Sequence, residues 1–231
     1  MTDIVKEPIF GLMVTLVFYL CAKRLQQKTK QRWLQPMLVS SLLLIGLLQV
    51  AHIDYADYNR GGQFITFLLG PATVALAIPL VRQLAVLKKN WQAILTGVVI
   101  GSLVGVASVL VIASFFDAAR EITLSLTPKS VTTPIAMEIA RSLGGIPSLT
   151  AAAVIMTGVL GAMAGPEILT FVGVKNQIAR GLAIGAAAHA LGTNRCLEEN
   201  ELAGAVSGVA IVLVGVATSL LASPLSDLLL H

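Results

Sequence analysis

Charged side chains are scarce in this sequence. Asp, Glu, Lys and Arg make up 12% of the 231 residues, while 56% are hydrophobic and the mean hydropathy is +0.85. Soluble domains carry about 25% charged residues. A chain so poor in charge cannot cover a surface that faces water. The composition therefore excludes a soluble globular domain and predicts an integral membrane protein.

Other absences narrow the class further. The two cysteines, Cys21 and Cys196, form neither a disulfide framework nor a metal-binding pattern. The sequence has no Walker-type phosphate loop, no Gly-x-Ser-x-Gly elbow and no His-Glu-x-x-His helix. The short segments of alternating polarity that a membrane β-barrel needs are also missing. We therefore expect a protein that is not an enzyme, with no metal and no cofactor, and the net charge of +4 gives no reason to expect a nucleic-acid partner.

Long apolar runs are what the sequence has instead. A transmembrane helix needs about 20 mostly apolar residues. The fold class predicted is all-α, a polytopic transmembrane helical bundle in a single integral membrane domain, residues 1–231. Six runs read as full spans, and two more, interrupted by polar residues, Pro or Gly, read as broken or re-entrant helical segments. The six are Pro8–Ala22, Pro36–Ala51, Phe64–Val81, Trp91–Phe116, Pro147–Val172 and Leu202–Leu221; the two are Ile122–Leu143 and Ile178–Leu191.

Loop charges predict the orientation. The loop after the first run is basic from Lys23 to Arg32, and cytoplasmic loops carry such an excess. The N-terminus is therefore predicted outside. If Ile122–Leu143 crossed the membrane, Lys175 and Arg180 would lie outside. If it enters and returns, they lie in the cytoplasm, which the positive-inside rule favours.

A short internal repeat points to the same segment. Pro71–Ile78 matches Pro128–Ile135 at an offset of 57 residues. Membrane carriers are often built from such repeats, with the substrate site where broken helices meet. The match predicts repeat units 64–120 and 121–177, although a coincidence of two short segments would look the same.

The most polar of the interrupted segments predicts an anion site. Pro128 and Pro134 remove backbone donors and disfavour helix just before them, so Thr133 and Pro134 read as the cap and first residue of a new helix. A helix start offers free N–H groups to an anion such as a carboxylate, and Lys129 adds a full charge. Alternatively, Lys129 only extends to a lipid headgroup from a loop. The predicted substrate-binding residues here are Lys129, Ser130, Thr132 and Thr133.

A second polar stretch, Ala188–Cys196, could form the opposite wall. Gly192 could break the helix, His189 could relay a proton, and Arg195 could clamp a carboxylate; Thr193 completes the predicted set. Equally, His189 could be a core histidine and Arg195 an interfacial anchor beside neighbouring glutamates. A third break is predicted at Pro71, with Thr73 as its contact, and a plain proline kink is the alternative.

Three segments also resemble the LrgB/CidB family. They are Leu68–Pro79, Pro128–Ala136 and His189–Thr193, and the likeness continues through Gly144–Pro147 and over nearly the whole chain. The sequence departs from the family pattern at Ala188, where the family has serine, and at Asn194, where it has alanine. The loss of a hydroxyl beside His189 could alter the choice of substrate.

The resemblance implies a multi-pass protein of the bacterial inner (plasma) membrane. The family is described as antiholin-like, modulating murein hydrolase activity and autolysis. Related members transport pyruvate with a small LrgA/CidA-type partner, and a plastid relative exchanges glycolate and glycerate. The expected partners are thus the lipid bilayer, a small organic anion and that small membrane protein.

Two functions follow from the sequence. The first is a carrier, or carrier subunit, for a small monocarboxylate. The second is an antiholin-like regulator that assembles with a holin-like partner. In that case, glycines spaced four apart, such as Gly97, Gly101 and Gly105, would matter more than Lys129, because they let helices approach closely, within the chain or in a homo-oligomer.

Overall fold

The computed structural model is all-helical over the part of the chain that it describes, namely residues 5–29, 31, 34, 36–68, 71, 74 and 77–230. This confirms the predicted fold class, a helical membrane bundle. The helices are α1 (Pro8–Thr29), α2 (Pro36–Val50), α3 (Tyr55–Phe67), α4 (Ala77–Arg82), α5 (Leu84–Lys89), α6 (Trp91–Phe115), α7 (Arg120–Leu126), α8 (Thr133–Leu143), α9 (Pro147–Phe171), α10 (Gln177–Glu199) and α11 (Glu201–Leu229).

Four of the described helices are long and apolar enough to cross a membrane: α1, α6, α9 and α11. Helices α6 and α9 have 25 residues each, which is about 37 Å of helix for a hydrocarbon layer of about 30 Å. Helix α2 is apolar but has only 15 residues. Each of these five helices covers one of the predicted spans.

The span predicted at Phe64–Val81 is wrong at its start. Helix α3 begins already at Tyr55, because Asp54 caps it by accepting a hydrogen bond from the Ala56 amide at 2.9 Å. It ends at Phe67. Most residues between Phe67 and Ala77, including Thr73, lie outside the described part of the chain. The break expected at Pro71 stays a prediction, and Pro71 itself is exposed.

The chain divides into two compact units, residues 1–75 and 76–231. In the first unit α1 packs against α2 and α3. Gly11 of α1 and Gly61 of α3 lie face to face with no room for a side chain, and the Thr15 and Tyr58 hydroxyls share a hydrogen bond of 2.8 Å. Lys6 and Asp54 line one cavity, so the start of α1 and the end of α2 lie at the same end of this unit.

The second unit contains the two polar stretches, and its long helices alternate in direction. Gly97 and Gly101 of α6 face Leu182 and Ala186 of α10 in increasing order, so these helices are parallel. Gly161 and Gly165 of α9 face Ala188 and Ile184 in decreasing order, so α9 is antiparallel to both. Gly181 and Gly185 of α10 face Ala203 and Ser207 of α11 in increasing order. Helix α11 is therefore parallel to this part of α10, and so to α6.

The close approach of α10 and α11 gives a first testable prediction. A Cβ added to Gly185 would lie 2.6 Å from the Ser207 carbonyl oxygen and 2.9 Å from Ala210 Cβ, whereas a Cβ on Gly208 would meet nothing within 4 Å. We expect Gly185→Ala to lower the melting temperature in detergent micelles by several degrees, since overpacking costs about 1–3 kcal/mol.

Gly208→Ala is the matched control, and it should leave the melting temperature unchanged or slightly raised because alanine favours helix. Thermal unfolding followed by size-exclusion chromatography measures both variants. Equal melting temperatures for the two would show that α10 and α11 do not pack as described.

Candidate functional site

The lysine stretch is a broken segment that enters the bundle and returns. Helix α7 ends at Leu126, and α8 starts at Thr133 after an irregular turn. The Ser125 hydroxyl accepts a hydrogen bond from the Ile146 amide at 2.7 Å, and the Thr150 hydroxyl donates to the Ser125 carbonyl at 2.8 Å. The start of α9 therefore lies beside α7, and the segment begins and ends at the same end of the unit.

The tip of this segment reaches the middle of α6. A Cβ on Gly105, near the centre of the Trp91–Phe115 helix, would lie 3.9 Å from Ser130 Oγ. Val131 is 1% exposed and packs in the core with Val154 and Val206. Thr127 and Pro128 are buried as well, while Lys129, Ser130 and Thr132 are half-buried, so protein covers much of the irregular backbone.

The histidine stretch is also re-entrant, and it reverses at His189. The backbone there has φ 41° and ψ −137°, in the positive-φ region that residues other than glycine rarely adopt. Arg180 and Glu199 form an ion pair of 3.4 Å although they are 19 residues apart, whereas in a continuous helix about 28 Å would separate them. Residues 177–188 and 190–199 are therefore two half-helices that fold back on each other.

Gly192 is not the helix break that the sequence predicts. It lies within the second half-helix, where a Cβ would be 3.3 Å from the Ile184 carbonyl oxygen. Its lack of a side chain is used for close packing of the two halves, and the reversal occurs three residues earlier. Sequence reasoning placed the break at glycine because glycine adopts positive φ at the lowest cost, but here the tertiary structure holds His189 in that conformation.

The two broken segments open at opposite ends of the unit and their tips approach each other. Arg120 Nη1, at the start of the first segment, donates to the Leu230 carbonyl at 3.1 Å, so that segment opens where α11 ends. The second opens where α11 begins, beside Glu201. Along α6, Gly101 faces Ala186 of the second segment, and Gly105, one turn later, faces Ser130 of the first. After its reversal at His189, α10 no longer follows α6. Ser130 of the first segment lies against α6 at the next turn instead.

The start of α8 at the tip is uncapped. Thr132, rather than Thr133, is the N-cap residue, which moves the predicted cap by one position, and Pro134 is the second helical residue. The Thr132 side chain makes no capping hydrogen bond. Helices α6, α7 and α9 also begin without a side-chain cap, whereas Asn176 and Asn200 cap α10 and α11. The first amides of α8 are consequently not satisfied by a cap, at a place where the helix dipole is positive.

Lys129 lies beside this helix start and is half-buried. Its Nζ is 3.5 Å from Ser130 Oγ, and none of the ion pairs among the described residues includes it. A buried or half-buried ammonium without a carboxylate partner is costly in a low-dielectric surrounding. Lys129 is therefore a half-buried positive charge beside the start of α8, with Ser130, Thr132 and Thr133 as its neighbours in the sequence.

The predicted residues of the second stretch are used differently. His189 is 5% exposed and its Nε2 lies 2.9 Å from the Val154 carbonyl oxygen, so that Nε2 must carry the proton. Thr193 is 1% exposed; its hydroxyl donates to the His189 carbonyl at 3.0 Å and lies 2.7 Å from Ser207 Oγ. Both side chains hold the reversal in place.

Arg195 is part of an ion-pair network at one end of the unit. It pairs with Glu198 at 3.3 Å and with Glu199 at 2.9 Å, and Glu199 also pairs with Arg180. These carboxylates already bind the Arg195 guanidinium, which the sequence predicts to bind the carboxylate of a substrate. The alternative interpretation, an anchor beside acidic neighbours, fits this position better, and Arg195 is not among the residues at the tips.

Comparison with known proteins places the chain in a family. The model of the LrgB-like family matches residues 15–228. The chain belongs to this family. Its relatives include the antiholin-like protein LrgB of Bacillus cereus, 39% identical over 91% of this chain and 92% of that protein. The uncharacterized protein YwbG of Bacillus subtilis is also 39% identical, over 91% of this chain and 93% of its own length. No solved structure matches the chain.

The hydrogen bonds around His189 give a second prediction. Thr193→Val removes a hydroxyl that bonds both the His189 carbonyl and Ser207 Oγ while keeping the side-chain shape. We expect a loss of about 1–3 kcal/mol of stability, since the buried Ser207 hydroxyl and the His189 carbonyl both lose this partner. Ser207→Ala in the Thr193→Val background should then cost little or nothing more.

Thr96→Val is the matched control, because the Thr96 hydroxyl is exposed and bonds only within its own helix, to the Gln92 carbonyl at 2.8 Å and the Ala93 carbonyl at 3.2 Å. Thermal unfolding in detergent of the single and double variants forms the cycle. Strictly additive losses from Thr193→Val and Ser207→Ala would rule out the bond between the two hydroxyls.

Proposed function

We propose that this protein is a membrane carrier, or the carrying subunit of an assembly, for a small monocarboxylate. The observation that supports it is the meeting of two oppositely oriented broken segments near the middle of the long helices. Such a meeting point of broken helices is where membrane carriers bind their substrates. At one tip, a helix start without a side-chain cap and a lysine with no acidic partner among the described residues favour an anion.

The size and charge of the site suggest the class of substrate. One lysine and one helix start supply little more than a single positive charge, which balances one carboxylate. The neighbouring hydroxyls of Ser130, Thr132 and Thr133 can donate hydrogen bonds to further oxygens. Pyruvate and glycolate are small natural probes of this kind, each a carboxylate with one further oxygen, and they are among the substrates that the family resemblance implies.

A second candidate function is that of an antiholin-like regulator. The Bacillus cereus relative is named an antiholin-like protein, and this name supports the regulatory function more directly than it supports transport. In this function the chain would influence murein hydrolases by assembling with a small LrgA/CidA-type membrane protein. The two functions are compatible, since metabolite flux can itself affect autolysis.

The third prediction tests the carrier. Proteoliposomes containing the wild-type chain should take up labelled pyruvate or glycolate, and Lys129→Ala should reduce the initial rate at least tenfold, because the site loses its full positive charge. Lys175→Ala, at the exposed turn between α9 and α10, is the matched control and should transport normally.

Two outcomes would contradict this proposal in different ways. Normal uptake by the Lys129→Ala variant would refute the proposed binding site but would leave the carrier function in place. If the wild-type protein, alone and with its small membrane partner, moved neither anion while deletion of the gene altered autolysis, the antiholin-like function would replace the carrier.

We further propose that the chain lies in the bacterial inner (plasma) membrane with its N-terminus outside. The basic loop after α1 supports this orientation. In a cysteine-free background, Asp54→Cys should react with a membrane-impermeant maleimide in intact spheroplasts, and Lys28→Cys should react only after lysis. The reverse pattern would invert the orientation.

A further inference from the structure

One buried hydroxyl near the two tips has no partner. Ser102 of α6 is 3% exposed, and its Oγ makes no hydrogen bond to any of the described residues. Other hydroxyls in this protein bond back to their own helix, as Ser108 does to the Gly105 carbonyl at 3.0 Å and Thr96 to the Gln92 carbonyl. An unpaired buried hydroxyl costs about 1–3 kcal/mol, so its presence calls for an explanation.

The position of Ser102 places its hydroxyl at the level of both tips. It follows Gly101, whose Cβ would lie 3.5 Å from Ala186 Cβ of the second segment. Gly105, three residues further along α6, faces Ser130. Residues three apart lie on the same face of a helix, with about 5–6 Å between their Cβ positions. Ser102 also lies on the buried stripe of α6 between Val98 and Val106.

The surroundings of that stripe explain why the hydroxyl is isolated. Val98 belongs to the same apolar core as Val131 of the first tip and Val154, whose carbonyl receives the His189 bond. Aliphatic neighbours offer a hydroxyl nothing to bond. A plain packing role would be filled better by alanine, which has nearly the same size and no polar atom to bury.

Ser226 provides a useful contrast. Its Oγ is also buried without a partner among the described residues. Ser226, however, lies in the last turn of α11, and its backbone carbonyl accepts a hydrogen bond from the Leu230 amide. The first broken segment begins at this end, where Arg120 bonds the Leu230 carbonyl, but its tip lies beside Gly105 of α6 instead. The case of Ser102 therefore rests on two features together: a buried hydroxyl with no partner among the described residues, and a position one turn before Gly105, which faces Ser130 at the first tip.

We infer that Ser102 is a further binding residue of the anion site, and that its hydroxyl donates a hydrogen bond to the bound carboxylate or to an oxygen beside it. This inference rests on the proposed carrier function. When no anion is bound the hydroxyl remains unsatisfied, and binding of the anion supplies its partner. Lys129 and the start of α8 then hold the anion from the first segment, and Ser102 holds it from α6.

Ser102→Ala tests this inference through two measurements on the full-length protein in proteoliposomes and detergent. For pyruvate and glycolate we expect the KM for uptake to rise about tenfold, as for a lost hydrogen bond to a charged group. Without anion, the melting temperature should stay the same or rise, because an unsatisfied polar group has been removed. The stabilisation that added pyruvate produces should shrink.

Ser108→Ala is the matched control, on the same helix and with its hydroxyl already bonded to the Gly105 carbonyl, and its KM should equal that of the wild type. A Ser102→Ala protein that melts lower without anion, or whose KM is unchanged, overturns the inference and leaves the carrier intact. If the wild-type protein neither transports nor is stabilised by pyruvate or glycolate, the carrier function fails and the inference fails with it.

Discussion

The need to satisfy backbone polar groups inside a membrane is the constraint on which the rest of this structure depends. A helix meets it along its length, but each helix end leaves amides or carbonyls without partners. In the part of the chain that the structure describes, helix ends lie in the interior of the bundle at Lys129–Thr132 and at His189. Everything around these two points serves either to satisfy the exposed groups or to leave some of them available.

The two breaks divide these roles. At His189 the protein satisfies the polar groups itself, through the Val154 carbonyl, the Thr193 hydroxyl and Ser207. At the start of α8 it does not: Thr132 provides no side-chain cap and Lys129 has no carboxylate among its described partners. One break is therefore satisfied within the protein, while at the other the described residues supply neither a side-chain cap nor an acidic partner for the lysine. A strained backbone such as that of His189 persists only where its surroundings hold it firmly.

Small residues make this arrangement possible. Gly161 lets the end of the first half of α10 approach α9, since a Cβ there would lie 2.3 Å from Ala188 Cβ, and Gly158 lets the His189 ring lie against the same helix. Gly181 and Gly185 admit α11 along the first half of α10. With larger side chains at these positions, the half-helices would stand away from the long helices. Their ends would then be exposed to lipid or to unfilled space.

The sequence by itself determined the class of the protein and the places where its helices are interrupted. Low charge and long apolar runs predicted a membrane bundle, and the prolines around Lys129 predicted the first break to within one residue, because these signals act locally. Only the tertiary structure decided that Ile178–Leu191 reverses at His189 and not at Gly192. It alone assigned Thr193 to the support of that reversal and Arg195 to an ion-pair network, and it alone showed the unpaired Ser102. Those roles depend on neighbours far apart in the chain, such as Val154 and Ser207, and no local pattern records which distant groups a buried side chain will meet.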